Sequence, residues 1–274
     1  MSASLTVLPS YAALLAAAAG DPLVSLEVGA DLLAPPLVLR RAVAFVRESQ
    51  LGMAGVVALG PDEDVAELLT GTPWRDEPGW GSWRSITVRR PLRPVLEALG
   101  VRGLGEWHTM SLRPGELVRR PVPPGVEIER GLDRATARAF VAEHHTARWI
   151  TPEPVGEEWI ALRDGATGAL IGTGLAAYTP AGATRLTSIA VDRARRGAGL
   201  GWVATQALVE RGLERSPAVV LGVDDDNLTG RGLYRAMGFR LDHALVSGML
   251  PPARPPARGD IDTAPVSETP RITG

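Results

Sequence analysis

The sequence contains no cysteine. This absence excludes disulfide bonds, cysteine-ligated metal sites and any covalent intermediate on a thiol. Disulfides persist mainly in oxidising compartments, but their absence does not by itself identify the compartment in which a protein resides.

Lysine is absent too, so all 29 strongly basic residues are arginines, and 31 acidic residues offset them to a formal net charge of −2. A nucleic-acid-binding domain usually carries an excess of basic residues, so we expect no nucleic-acid partner at an isoelectric point near 6.1. No hydrophobic run approaches the ~20 residues of a membrane-spanning helix. We therefore expect a soluble protein without a membrane partner.

The N-terminal segment YAALLAAAA, residues 11–19, has the length of the hydrophobic part of a signal peptide. A signal peptide also needs basic residues before that part, and no arginine precedes Arg40. Ser10 is a good N-cap for a short helix instead. We expect a cytoplasmic protein.

The length of 274 residues fits one large domain or two smaller ones, and proline-rich segments suggest where they end. The segments 113–125 and 251–274 are rich in proline, which disfavours helices and central strands. We therefore predict an N-terminal α/β region at 1–112, a linker at 113–125, a second domain at 126–250 and a disordered tail at 251–274.

Within these limits, the patterning predicts alternating strands and helices. In the second domain we expect helices at 133–144, at 199–214 and from Asn227 to Gly238, and strands at 126–130, 159–163, 169–178, 185–192, 218–223 and 239–250. The apolar, β-branched run 218–223 is typical of a buried parallel strand. In the first half, we expect strands at 22–29, 53–60 and 84–89 and a helix at 62–69.

A glycine-rich turn, RGAGLG at residues 196–201, links the strand at 185–192 to the following helix. Glycines allow the backbone to approach an anion closely, and the first turn of a helix offers unpaired N–H groups at the positive end of its dipole. This arrangement suits a pyrophosphate. A tight turn that only packs the helix is the alternative.

A second motif follows, in which Asn227 precedes Tyr234 by seven residues and Gly238-Phe239 come four and five residues later. Arg-x-x-Gly-x-Gly followed by Asn-x6-Tyr-x3-Gly-Phe resembles the acetyl-CoA-binding core of the GNAT (Gcn5-related N-acetyltransferase) superfamily. The resemblance covers residues 126–250. A dinucleotide-binding βαβ unit is the rival, but its glycines run G-x-G-x-x-G and it needs more chain for its sheet.

The resemblance implies a GNAT fold: a mixed, mostly antiparallel central sheet with a splayed pair of parallel strands and flanking helices. It implies acetyl-CoA as co-substrate and Tyr234 as the general acid that protonates the departing thiolate. Asn227 would bond to the pantetheine or its surroundings. By the same resemblance, the strand before the loop would pair with the pantetheine arm, and the loop amides would hold the pyrophosphate; these residues are Ile189, Ala190 and Val191, then Arg196, Gly197, Ala198, Gly199, Leu200, Gly201 and Trp202.

The general base is not evident. Many family members carry a glutamate on the strand before the loop, whereas this strand has no carboxylate before Asp192. Either water relays the proton or another group acts, with His144, His145, Glu157, Glu158 and Asp224 as candidates. Because no cysteine can carry the acetyl group, we expect direct attack by the amine in a ternary complex.

No metal is expected. The run Asp224-Asp225-Asp226 lacks the spacing of a Ca²⁺ loop, and three consecutive carboxylates cannot all face one ion. A solvated turn before Asn227 is the better interpretation.

The end of the first half, residues 93–112, resembles the end of the second, residues 231–250, as helix, glycine and strand. Aligning Gly100 with Gly238 places Leu96 opposite Tyr234, and no Arg-x-x-Gly-x-Gly precedes it. This suggests a degenerate GNAT-like unit that binds no cofactor.

Together these observations predict an acetyl-CoA-dependent N-acetyltransferase that acts on a small-molecule or peptide amine not identified by the sequence. The alternative is a regulatory or scaffold protein that binds acyl-CoA but turns it over weakly. A homodimer is compatible with either.

Overall fold

A computed structural model describes residues 4–48, 54–144 and 158–252. It contains one twelve-stranded sheet, and the strands are β1 (Thr6–Val7), β2 (Leu37–Leu39), β3 (Ala42–Glu48), β4 (Ala54–Leu59), β5 (Ser85–Arg89), β6 (Arg102–Leu112), β7 (Val126–Arg130), β8 (Glu158–Asp164), β9 (Leu170–Tyr178), β10 (Thr184–Val191), β11 (Val219–Asp224) and β12 (Arg240–Met249). The α-helices are α1 (Tyr11–Ala17), α2 (Pro22–Glu27), α3 (Asp62–Gly71), α4 (Arg93–Ala98), α5 (Arg134–His144), α6 (Leu200–Leu213) and α7 (Leu228–Met237).

The strand order is β1-β2-β3-β4-β5-β12-β6-β11-β10-β9-β8-β7. Among the strands of the described residues, the pairs β4–β5 and β10–β11 are parallel and the others are antiparallel. This mixed, mostly antiparallel sheet with flanking helices confirms the predicted fold class, and the run at 218–223 does form a parallel strand, β11. The prediction of a disordered tail falls almost entirely outside the described residues.

The last strands of the two halves are exchanged. β6 ends the first half but pairs with β11 of the second, whereas β12 ends the second half and pairs with β5 of the first. The two exchanged strands also pair with each other, antiparallel, at the centre of the sheet. The halves therefore share one continuous sheet.

The two halves repeat the same order of elements: a strand, one or two helices, three antiparallel strands, a helix, a strand, a helix and a last strand. Gly100 and Gly238 both have positive φ, of 71° and 110°, where α4 and α7 end. The recurrence of helix, glycine and strand predicted for 93–112 and 231–250 is thus present in the structure.

The helices lie on opposite faces of the sheet in matching sets. On one face, α3 and α4 enclose the core of the first half, and α6 and α7 enclose that of the second. On the other face, α1 and α2 cover strands β3 and β4, and α5 covers β8 and β9. No helix among the described residues is long and apolar enough to cross a membrane.

The N-terminal helices show one correct and one wrong prediction. Ser10 caps α1, since its Oγ accepts from the Ala13 N–H at 3.2 Å. The strand predicted at 22–29 is wrong, because Asp21 Oδ1 accepts from the Leu23 N–H at 2.9 Å and Pro22 occupies the first turn of α2. An Asp N-cap followed by proline favours a helix start, and here it outweighs the apolar run.

Candidate functional site

Strands β10 and β11 diverge in the middle of the second half. Their parallel register runs from Thr184 opposite Val219 to Leu186 opposite Leu221 and then stops. On its other side, β10 stays paired with β9 through a bulge in which Ser188 has a φ of +54°. A positive φ is strained for a residue with a Cβ. The bulge turns the end of β10 away from β11 and opens a gap in the sheet.

The three strand residues named from the sequence lie beyond this point. Ala190 and Val191 pair with Thr173 and Gly172 of β9, and Ile189 belongs to the bulge between the paired segments. The other edge of this segment faces the gap. An extended ligand could add there as a strand, as the resemblance implies.

The glycine-rich loop leads from the end of β10 into α6. Gly197 and Gly199 have φ of +83° and +79°, and a Cβ built on either meets nothing within 4 Å. Gly199 is the N-cap of α6 and supplies no side-chain acceptor. Within the described chain, the amides of 197–201 make no hydrogen bond, whereas Trp202 N–H donates to Gly199 O at 2.9 Å. The loop thus presents exposed backbone donors at a helix N-terminus, where an anion binds well.

Contacts with the end of α5 hold the loop. Arg196 Nη2 donates to the His144 carbonyl at 2.6 Å, and His144 Nδ1 accepts from the Arg193 N–H at 3.3 Å. Arg195 Nη1 donates to Asp164 Oδ2 at 2.6 Å. His144, which the sequence offered as a base, therefore positions the loop. His145 and Glu157 lie outside the described residues.

Asn227 lies immediately before α7, and Tyr234 lies within it. Asn227 is the N-cap, and its Oδ1 accepts from the Gly230 N–H at 2.9 Å. Tyr234 packs edge-on against Phe239 with ring centroids 5.8 Å apart, and no described residue hydrogen-bonds its hydroxyl. Burial raises the pKa of Tyr234 to about 12. The phenol is therefore protonated throughout the neutral range.

Of the remaining carboxylates proposed as bases, Glu158 is held by Arg211 and Arg215, at 3.1 and 3.3 Å, beside the last turn of α6. Asp224 ends β11 and lines a cavity described below. The structure thus brings only Asp224, among the described candidates, to the region where the strands diverge.

The second residue of the aspartate run makes ion pairs. Asp225 Oδ1 lies 2.6 Å from His108 Nε2, 2.7 Å from Arg90 Nη2 and 2.9 Å from Arg231 Nη1. These hydrogen bonds, that of His108 first, hold the pKa of Asp225 below its ordinary value. Asp225 therefore joins the first half to the start of α7.

A cavity of about 270 Å³ opens on the opposite face of the sheet from α6 and α7. Trp107 of β6, Gly222 and Asp224 of β11 and Ser247 of β12 contribute to its wall. The β11 residues of this wall come directly after Leu221, where pairing with β10 ends. The gap between β10 and β11 therefore connects the side of the glycine-rich loop with this cavity.

Three charged residues of the cavity were not anticipated from the sequence: Glu27 of α2, Arg47 of β3 and Arg185 of β10. Glu27 lies in the mostly apolar run PLVSLEVG, and Arg47 follows the apolar run AVAFV. A charge in a buried segment needs a partner of opposite charge, so the two positions together could have predicted an ion pair between Glu27 and Arg47. Nothing local indicates that Arg185 joins them.

The first half lacks the features that suit an anion at the equivalent place. The turn from β4 to α3 contains Gly60 and Pro61 in place of the glycine-rich loop, and the first turn of α3 carries Asp62, Glu63 and Asp64. Carboxylates at a helix N-terminus occupy the positive end of its dipole and repel a second anion. Leu96, opposite Tyr234 in the repeat, is fully buried.

Comparison with known proteins agrees with this description. Residues 129–239 match the family model of the GNAT acetyltransferase family. No curated protein matches the chain.

Solved structures share its fold at low identity. A GCN5-related N-acetyltransferase from Kribbella flavida is 18% identical, with a TM-score of 0.52 over 87% of this chain and 95% of that one. A Drosophila protein is 15% identical, with a TM-score of 0.53 over 80% of each chain. A tandem GNAT protein from the clavulanic acid biosynthesis pathway is 15% identical, with a TM-score of 0.51 over 92% of this chain and 100% of that one.

The tandem match extends over both halves, in agreement with the repeat of elements and with a second GNAT-like half at the N-terminus. Residues 129–239 of this chain are an acetyltransferase domain of the GNAT family.

Proposed function

We propose that this protein transfers the acetyl group of acetyl-CoA to a primary amine by direct attack in a ternary complex. The observation that carries the proposal is the gap between β10 and β11. It has the glycine-rich loop at one end and the charged cavity on the opposite face. Two substrates that enter from opposite faces of a sheet can meet in such a gap without an intermediate carrier on the protein.

The loop fits the pyrophosphate of CoA. The amides from Arg196 to Gly201 would donate to its oxygens, whereas the Trp202 N–H already donates to Gly199 O. The missing Cβ atoms of Gly197 and Gly199 permit close approach. The free edge of Ile189, Ala190 and Val191 would pair with the pantetheine arm. Asn227 would lie beside that arm, where its side-chain amide remains exposed after capping α7.

Tyr234 would act as the general acid. When the amine attacks, a C–N bond forms, the C–S bond breaks, and the leaving thiolate takes a proton from the Tyr234 hydroxyl. Its raised pKa, about 12, keeps that proton in place until negative charge develops on sulfur. The proton lost by the amine would leave through the cavity to water, and among the described candidates Asp224 is the one on the cavity wall.

The test is release of CoA thiol, followed with a thiol-reactive chromophore, when acetyl-CoA and a panel of amines are offered. Because the protein has no cysteine, it contributes no background. We expect Tyr234→Phe to lower kcat by about 100-fold or more and to leave the Kd for acetyl-CoA unchanged. Tyr178→Phe is the matched control, since this exposed tyrosine ends β9.

Three results would contradict the proposal. Full activity of Tyr234→Phe would show that Tyr234 is not the general acid. Ping-pong kinetics would contradict direct transfer. Binding of acetyl-CoA without thiol release for any amine would favour the regulatory or scaffold alternative.

A further inference from the structure

The cavity brings together an unusual buried charge cluster. The side chains of Glu27 and Arg47 are 6% and 8% exposed, and that of Arg185 is 13% exposed. Glu27 Oε2 accepts from Arg47 Nη1 and, at 2.7 Å, from Arg185 Nη2. Two residues come from the first half and one from β10 of the acetyltransferase domain. All three line the cavity.

Glu27, Arg47 and Arg185 together carry one positive charge in excess. The cavity wall also contains Asp224 and Glu106, and Glu106 forms ion pairs with two arginines outside the cavity, Arg90 and Arg93. Burial raises the pKa of Glu27, but the charges of Arg47 and Arg185 together lower it further, so that it lies below its ordinary value. The carboxylate is therefore ionised and balances one guanidinium only. Burial also lowers the pKa of Arg47, as expected for a cation held away from water. A buried excess charge is unfavourable unless an anion neutralises it.

The two guanidinium groups have donors left for such an anion. Each carries five N–H donors in a planar fork, and their hydrogen bonds within the described chain go to Glu27 Oε2 alone. Among the described residues, every nitrogen of Arg47 and Arg185 either has a hydrogen-bond partner or is accessible to solvent. Arg47 also lies over the Trp107 ring, 5.6 Å from its centroid, which limits its orientations.

The cluster lies at a distance from the transfer point that suits a bifunctional acceptor. Arg185 pairs with Val220 before the strands diverge, and Asp224 follows four residues later on β11. At about 3.3 Å per residue, Asp224 is roughly 13 Å along β11 from the Cα of Val220, the residue beside Arg185. An arginine side chain spans part of that distance.

Resting on the proposed function, we propose that the acceptor amine carries a carboxylate, which Arg47 and Arg185 bind while its amino group reaches the gap between β10 and β11. The acceptor class is thus an amino acid or a short peptide with a free C-terminus. Glu27 is a positioning residue that holds the two forks. Arginine forks match the planar carboxylate in a bidentate manner.

The test compares acceptors in matched pairs, each an amino carboxylate and its carboxamide, over α-, β- and γ-amino acids and dipeptides. The amine is retained in both members, and only the negative charge is removed. We expect thiol release with kcat/KM about 10- to 100-fold higher for the carboxylates. A second readout needs no turnover: N-acetylated carboxylates should raise Tm more than their carboxamides.

Variants assign the preference to the cluster. Arg185→Gln and Arg47→Gln should raise KM for carboxylates by about 10-fold or more and should change KM for carboxamides much less. Compared with Arg185→Gln, Arg185→Lys should retain part of the preference for carboxylates over carboxamides, because lysine keeps the positive charge but lacks the planar guanidinium group. Arg215→Gln, at an exposed arginine paired with Glu158 outside the cavity, is the control for a general loss of charge.

The outcomes separate this proposal from the proposed function. If thiol release is equally fast with carboxamides, recognition of a carboxylate is refuted, and the proposed acetyltransferase activity still stands. If Arg185→Gln lowers kcat/KM equally for the carboxylate and the carboxamide, the cluster has only a structural role. If no acceptor releases thiol, the proposed function fails, and the Tm comparison still decides whether the cluster binds a carboxylate.

Discussion

Replacing Gly199 by alanine separates the two interpretations of the glycine-rich loop. Gly199 has a φ of +79°, and an added Cβ would meet no protein atom within 4 Å. The only intramolecular cost of Gly199→Ala is therefore backbone strain. Gly182, in the turn before β10, has a φ of +83° and equally open surroundings. Gly182→Ala is thus a matched control at the other end of the strand.

The expected magnitudes follow from this comparison. A left-handed alanine costs about 1–2 kcal/mol, so both variants should lose a few degrees of Tm. Only the Cβ at position 199 stands where the pyrophosphate would lie. Losing one charge-assisted hydrogen bond there raises the Kd for acetyl-CoA about 10- to 100-fold.

Calorimetric titration and thermal unfolding with acetyl-CoA provide the measurement. At a concentration 100 times the wild-type Kd, the ligand should stabilise the wild type and Gly182→Ala by about 2.7 kcal/mol. A tenfold weaker Kd reduces this to about 1.4 kcal/mol in Gly199→Ala. If both variants bind acetyl-CoA like the wild type, the loop is only a tight turn, and the reasoning from its exposed amides is wrong.

Four further results are expected. The rate should not fall between pH 8 and 10 through ionisation of Tyr234, because burial raises its pKa to about 12; a kcat–pH profile that loses activity there, with Tyr234→Phe insensitive, would contradict this. Burial raises the pKa of Asp242 to about 6, above its value in the unfolded chain. The contribution of this carboxyl group to folding stability is therefore complete below pH 4 and is lost as the pH rises through 6. Asp242→Asn should therefore raise Tm more at pH 8 than at pH 4, and an equal shift at both would count against the assignment. Glu27→Gln leaves two buried cations without a carboxylate and should lower the free energy of unfolding by about 3–5 kcal/mol in urea titrations, whereas a loss below about 1 kcal/mol would show that the cluster is well solvated. The fragment 126–250 should not fold stably alone but should fold when co-expressed with 1–125, because β6 lies between β11 and β12; a monomeric fragment with the full-length Tm would disprove that requirement.

Local signals made much of the acetyltransferase domain predictable. The glycines at 197, 199 and 201, the Asn227 cap and Gly238 act within one turn of the chain, so their conformations follow from neighbouring residues. The elements of the second half accordingly begin and end within a few residues of the predicted bounds. The domain boundaries at 112, 125 and 250 remain a prediction.

The exchange of β6 and β12 could not be predicted in the same way. Strand pairing depends on register between distant segments, and the partners here are more than 100 residues apart in sequence, as for Val219 opposite Leu112. The charged cavity was missed for a related reason. Glu27 and Arg185 are 158 residues apart in sequence and meet only because the exchanged strands join the two halves.

The exchange also explains what the first half, which lacks the glycine-rich loop, contributes to the site. Because β12 and β6 lie side by side at the centre of the sheet, α2 and β3 of the first half come to the same cavity as β10 and β11 of the second. The acidic first turn of α3 makes the first half a poor site for a pyrophosphate, yet this half supplies Glu27 and Arg47 to the cavity. Under the two proposals, the second half would hold acetyl-CoA, and both halves would select the acceptor by its charge, through Arg47 of the first half and Arg185 of the second.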